Sequence, residues 1–143
     1  MKITIVSFQK NRNSPLETAE SEYLKRLGRH AQVEFHTVKT WNDQTGLPTQ
    51  SLKAQHYIGL FIDGKSFSSA SLAQRLQTLM NQGVSHLTLV IGGPEGIPTQ
   101  ATKQIQERWS LSPLTFSHQL ARLLLLEALY RSFDILHGGR YHK

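Results

Sequence analysis

Apolar positions along this chain recur with two periods in turn, one suited to strands and one to helices. Residues 2–8, Lys-Ile-Thr-Ile-Val-Ser-Phe, read as a first strand. Ser14-Pro15-Leu16-Glu17 then has the form of a capping box with proline at the first helical position. Leu16, Ala19, Tyr23, Leu24 and Leu27 follow at three-four spacing, and Gly28 fits a helix stop. In 32–38, Val33, Phe35 and Thr37 stand opposite Gln32, Glu34 and His36, as in a half-exposed strand. Residues 39–55, with Gly46 and Pro48, show no clear period; a short helix near 49–55 is suggested.

The runs 57–62 and 87–91 are almost continuously apolar, the pattern of strands covered on both faces of a parallel sheet. Between them Leu72, Ala73, Leu76, Leu79 and Met80 form a helical stripe that ends at Gly83. A weaker helix is expected over 98–108, with Ala101 and Ile105 on one face, then an extended piece over 110–116 and a strong helix over 118–133. Strands alternating with helices predict an α/β fold, a parallel sheet flanked by helices, in a single domain over 1–143.

The last helix stands apart. Leu120, Ala121, Leu123, Leu124, Leu125, Leu126, Ala128 and Leu129 cover most of its circumference, interrupted by Arg122, Glu127, Tyr130 and Arg131. Such a helix must be buried nearly all round. A second subunit covering it is the expectation; a central helix inside the monomer is the alternative.

Composition narrows the function. Sixteen Lys+Arg against ten Asp+Glu give a charge of +6, a modest pointer to an acidic partner such as nucleic acid. Zero cysteines exclude disulfides, thiol catalysis and thiolate metal sites. No apolar run approaches the ~20 residues of a membrane span, and the N-terminus reads as a strand rather than a signal peptide, so a cytoplasmic protein with no membrane partner is expected.

Ligands of open α/β sheets bind beyond the carboxyl ends of strands. Three segments lie there: Asp63-Gly64-Lys65, Gly92-Gly93-Pro94-Glu95-Gly96, and Ser112 to Ser117. The glycine pair matches neither the phosphate loop nor the dinucleotide fingerprint. It suits either close backbone approach to an adenosine-like group or simply a tight strand-to-helix turn. His137 and His142 have no carboxylate spaced to complete a metal site, so no metal is expected. No nucleophile elbow or paired-carboxylate motif supports hydrolysis.

Read in order, Ile91 to Gly96, Trp109-Ser110-Leu111-Ser112, Leu114-Thr115, His118, Arg122, Glu127-Ala128-Leu129-Tyr130-Arg131 and the ending Tyr141-His142-Lys143 resemble one family. It is the ribosomal RNA large subunit methyltransferase H family of the SPOUT superfamily, whose members methylate N3 of a pseudouridine in large-subunit ribosomal RNA. The match is specific from residue 87 onward and rests on element order and length before it.

The resemblance implies a deep C-terminal trefoil knot, a homodimer, and S-adenosylmethionine as the cofactor. Its contacts would fall on Leu60, on Gly92 and Gly93, and on Leu111, Ser112, Pro113, Leu114, Thr115 and Phe116. Tyr141 and His142 would be the catalytic pair, with His142 a proton acceptor or an orienting donor. Arg122, Arg131 and Arg140 would face RNA phosphate, although Glu127 and Arg131 are also spaced as a helix ion pair. Three positions depart from the family's pattern: Phe61 stands at its aspartate, with Asp63 as a possible substitute; Arg140 stands at its proline; and Gln9 stands at its glycine after the first strand. The competing readings are a catalytically impaired RNA- or ribosome-binding module on the same fold, and an unrelated nucleotide-binding α/β protein.

Overall fold

The structure is a computed structural model that describes residues 1–10 and 15–142. In chain order it contains β1 (Lys2–Phe8), α1 (Glu17–Leu27), β2 (Gln32–Val38), a 3-10 turn (Thr49–Ser51), β3 (His56–Ser66), α2 (Ser69–Asn81), β4 (His86–Ile91), α3 (Thr99–Thr102), β5 (Glu107–Ser110) and α4 (His118–Leu136). The five strands form one sheet in the order β2-β1-β4-β3-β5, and every pairing is parallel.

The period-two alternation of β1 feeds two cores at once. Ile3 and Ile5 point into a cluster with Leu76, Leu79, Leu125, Leu129 and Phe133, under α1, α2 and α4. Val6 and Phe8 point to the other face, where Leu47, Trp41, Ala101, Ile97 and Ile105 cover them. The unpatterned stretch 39–55 is thus the lid of the second face. It earns its place through scattered apolar anchors such as Trp41, whose ring meets Phe8 edge-on at 5.8 Å, rather than through a period.

Several elements differ from their expected bounds. The helix expected over 98–108 is four residues long, because the chain turns after Thr102 and enters β5 at Glu107. Ala101 and Ile105 do share a face, but from a helix and from the turn after it. The extended piece accordingly begins at Glu107 and ends at Ser110, and 111–116 is irregular. The short helix near 49–55 is a single 3-10 turn. Pro15 and Leu16 lie in a turn and α1 begins at Glu17, so the proline is not its first helical residue; Ser14 lies outside the described residues.

α4 resolves the leucine run into two faces. Leu125, Leu126, Leu129 and Phe133 are at most 1% exposed, packed inside the monomer, and α1 and α2 both pack on this helix. The inner face therefore needs no second subunit. An outer stripe remains, with Leu123 and Leu124 half-buried and Leu120 36% exposed.

One ion network pins the edge strand β5. Glu107 accepts hydrogen bonds from Arg75 Nε at 3.0 Å and Nη2 at 2.6 Å, His56 Nε2 lies 2.8 Å away, and Trp109 Nε1 donates as well. Burial by itself raises this carboxyl, and the Arg75, Trp109 and His56 hydrogen bonds overcome it, holding Glu107 at about 2. A carboxyl depressed in the folded state contributes stability above its ordinary value of 4.5, and that stability drains as pH falls toward about 2. Glu107→Gln is expected to lower stability at neutral pH by about 1–2 kcal/mol, allowing for solvent screening. It should also flatten the acid limb of the melting temperature between pH 5 and pH 2, roughly the interval between the two values. A thermal melt across that range checks both.

Candidate active site at the carboxyl edge of the sheet

β4, β3 and β5 are neighbours and run parallel, so their carboxyl ends reach one edge of the sheet. The register sets Gly59 against Val90 and Leu60 against Trp109. Leu60, the Gly92-Gly93 turn and the run from Leu111 to Phe116 are thereby brought to the same edge. β3 leaves its register there: both Leu60 and Lys65 pair with Trp109, and Phe61 to Gly64 bulge out between them. Gly64 is required in this excursion, because a Cβ on it would lie 2.6 Å from the Trp109 carbonyl carbon.

The glycine pair serves the protein's own packing. Gly93 and Gly96 exchange backbone hydrogen bonds of 3.2 and 2.9 Å, closing a tight turn. A Cβ on Gly93 would lie 2.6 Å from the Trp41 ring and 3.1 Å from the Phe8 carbonyl oxygen. The turn therefore lies against the end of β1. That junction has a topological meaning. β1 leads through α1 on one face to β2, whereas the neighbouring β4 leads through α3 on the other face to β5. Adjacent strands whose connections part in this way leave a crevice beyond their ends.

The run 111–116 is held open by hydroxyl turns. Ser110 Oγ donates to the Ser112 carbonyl at 3.0 Å, and Ser112 Oγ accepts from the Leu114 N–H at 3.0 Å. Pro113, Leu114 and Thr115 are exposed, Leu114 at 69%. Phe61, at the position of the family's aspartate, lays its ring over Gly59 beside Ile97 and Ile105, with the Arg108 guanidinium 4.2 Å above it. Asp63 is exposed and faces Arg108 at 3.8 Å.

The C-terminal tail folds back onto α4. Gly138, with φ +69°, turns the chain after the helix, and the Tyr141 N–H donates to Asp134 Oδ2 at 2.9 Å. The Tyr141 hydroxyl donates to Glu127 Oε1 at 3.0 Å and lies 2.9 Å from the Tyr23 hydroxyl. Burial, then the Tyr23 and Glu127 contacts, push its ionisation well above the ordinary phenol range, so Tyr141 is a neutral donor. Glu127 Oε1 also accepts from Arg131 Nε at 3.0 Å and Nη2 at 2.6 Å. Arg131 Nη1 is 3.0 Å from His142 Nδ1. A guanidinium only donates, so Nδ1 accepts and the ring's hydrogen sits on Nε2. In this arrangement His142 presents an N–H at Nε2. Glu127 and Arg131 in turn line a cavity of about 160 Å³ with Ser110 and Leu111, linking the tail to the start of the 111–116 run.

The arginines part company. Arg140 is exposed in the tail, whereas Arg131 is committed to Glu127 and His142. Arg122 is 8% exposed, bonded through Nε to Glu20 Oε1 at 2.6 Å and stacked 3.9 Å over Phe35. Glu20 escaped the sequence reading because a glutamate on an amphipathic helix ordinarily faces water. The one available signal was a charge on the face next to Leu24 and Leu27.

This arrangement has known counterparts. The model of the family described as "Predicted SPOUT methyltransferase" matches residues 1–142. The chain belongs to the SPOUT methyltransferase family. Proteins named "Ribosomal RNA large subunit methyltransferase H" are similar to it from end to end. The one from Acetivibrio thermocellus is 35% identical over 100% of both chains. That of Legionella pneumophila strain Lens is 35% identical over 100% of this chain and 99% of its own. The one from Flavobacterium johnsoniae is 34% identical over 99% of each. A solved structure of a probable methylase family protein from Haemophilus influenzae shares the fold, with a TM-score of 0.61 at 11% identity over 99% of this chain and 70% of that one. As a SPOUT methyltransferase the chain has an α/β sheet whose carboxyl edge carries the candidate site. Among its described residues no helix is long and apolar enough to cross a membrane.

Proposed function

We propose that this SPOUT methyltransferase uses S-adenosylmethionine to methylate N3 of a pseudouridine in large-subunit ribosomal RNA, acting in the cytoplasm as a homodimer with a knotted C-terminal segment. The observation that carries the reading is the docking of Tyr141 and His142 on Glu127 and Arg131 of α4, the two residues that line a cavity with Ser110 and Leu111. Full-length identity to relatives named for ribosomal RNA methylation supports the substrate class.

The edge suits the cofactor chemically. Leu60, Leu111, Leu114 and Phe116 offer apolar contact to a flat ring, and the backbone carbonyls of the exposed residues 113–115, with the Thr115 N–H, offer polar contacts to its rim. S-adenosylmethionine supplies an electrophilic methyl group on a sulfonium. The protein's part is placement, with the ring nitrogen held ~3–3.5 Å from its target. Removal of the N3 proton falls to a group that the substrate meets at this edge. His142, through its Nε2 hydrogen, orients a base carbonyl, and the exposed Arg140 meets phosphate.

A charge of +6 spread over 143 residues is modest for gripping naked RNA, which favours an assembled surface, that of the ribosome. Transfer of labelled methyl to ribosomes lacking the modification, with the product mapped, is expected to mark a single pseudouridine. Ribosomes should greatly outperform short naked RNA. Equal labelling of the two would overturn the assembled-ribosome reading. A folded protein that transfers no methyl but still binds ribosomes would replace the enzyme by the binding module.

A further inference from the structure

A second cavity, of about 170 Å³, lies between α1 and α4 just past the end of β1 and is lined by Gln9, Glu20, Ser21, Phe35, Gln119 and Arg122 among others, with exposed Glu17 at its mouth. Nothing in the proposed cofactor edge uses it. Its floor is the Glu20–Arg122 ion pair, each side chain 9% exposed. The pair meets through a single contact, Nε to Oε1. Among the described residues, Glu20 Oε2 and the two terminal nitrogens of Arg122 have no hydrogen-bond partner. None of these atoms is sealed from solvent, Thr37 Oγ1 being the one buried side-chain atom without a partner among the described residues, so they are open to water or to a ligand in the cavity.

The cavity's size and charge restrict the occupant. A void of roughly 150 Å³ accepts one six-membered ring. Two carboxylates against one guanidinium disfavour phosphate. What fits is a neutral ring that presents an N–H to a carboxylate and, next to it, a carbonyl to a guanidinium. Gln119 and Arg122 follow the 111–116 run in the first turns of α4, and Gln9 follows Phe8, whose carbonyl the glycine turn approaches. Through Gln119 the cavity lies within one helical turn of the segment that ends at Ser117, and through Gln9 it directly follows the end of β1.

We infer that this cavity holds the flipped target base, and that Glu20 and Arg122 together distinguish pseudouridine from uridine. The inference rests on the proposed function. Pseudouridine is joined to ribose through carbon, which leaves an N1–H beside its C2 carbonyl. Uridine turned to match has a C5–H beside its C4 carbonyl. Glu20 Oε2 accepts the N1–H and an Arg122 terminal nitrogen donates to O2. The adjacent N3 then remains outside the pair's reach and free to face the cofactor edge. Extrahelical capture of a base is the usual way for an enzyme to reach a ring atom in folded nucleic acid. With uridine the carboxylate would face a C–H and lose its hydrogen bond. Because Glu20 keeps Arg122 as a partner, the expected preference is about 10–100-fold, below that of a site left wholly unpaired.

The test compares methyl transfer to ribosomes carrying pseudouridine or uridine at the mapped position. The wild type is expected to favour pseudouridine, and Glu20→Gln to bring the ratio close to one while the KM for S-adenosylmethionine holds. Ser21→Phe fills the cavity from an exposed position while leaving both members of the ion pair in the sequence. It should abolish transfer to both ribosomes with melting temperature and cofactor binding kept. A folded Glu20→Gln with undiminished discrimination, or Ser21→Phe at the wild-type rate, overturns the base site alone. If Glu20→Gln fails to fold, Ser21→Phe decides. A wild type that methylates neither ribosome overturns the functional reading and the base site with it.

Discussion

Leu125→Glu is expected to unfold the protein, whereas Leu124→Glu leaves it folded and separates the proposed dimer. The two leucines are neighbours in a run of four, yet Leu125 is 0% exposed among Ile3, Ile5 and Leu129, while Leu124 belongs to the outer stripe with Leu120. A carboxylate at Leu125 would lose its packing and bury an unpaired charge, costing about 5 kcal/mol or more out of a typical total of 5–15. At Leu124 the charge reaches water and the fold should lose about 1 kcal/mol or less. Circular dichroism and thermal melting read the first result, sedimentation the second. A Leu124→Glu variant that still sediments as a dimer would place the interface elsewhere.

Within the tail, a large loss of activity in a folded variant is expected at Glu127. Its Oε1 gathers the Tyr141 hydroxyl and two nitrogens of Arg131, and Arg131 holds His142. Glu127→Ala removes the acceptor on which the tail converges, while the backbone bond from Tyr141 to Asp134 survives. The tail is then tethered but misaligned, and displacements near 1 Å at a reacting centre cost about 10²-fold in rate. Methyl transfer should fall by about that factor with little change in melting temperature. Glu127→Gln, which keeps an acceptor but not the charge, should recover part of the loss. Equal rates for all three proteins would detach the tail from the chemistry.

The legible part of the fold was the part with strong local periods. The runs 57–62 and 87–91 are β3 and β4, and the Leu72–Met80 stripe is α2. Ala101 and Ile105, four apart, imitated a longer helix because they cover the same sheet face from two different elements. The bulge of Phe61 to Gly64 depends on what Trp109 pairs with, a fact no local window contains. The two faces of α4 were hidden by uniform leucine, since the choice between them is made by α1 and α2.

The candidate site divides in the same way. Its edge segments were legible as glycine and proline punctuation after apolar runs, and the tail through its resemblance to a known family. Glu20 was not, because its partner Arg122 is distant in the chain. Gln9 stood out as a departure at the end of β1, and it lines the cavity over that pair.

The middle place of β1 in the sheet also bears on how the chain is born. β2 is made soon after β1 and can cover one of its sides, but the other side waits for β4, whose last residue is Ile91. At about 5–20 residues per second that wait is roughly 4–17 s. Through it, a newly made strand of isoleucine, valine and phenylalanine keeps unpaired amides open to any neighbouring chain. Crowded synthesis of this protein should therefore be limited by capture of its first strand by other nascent copies before residue 91 is made.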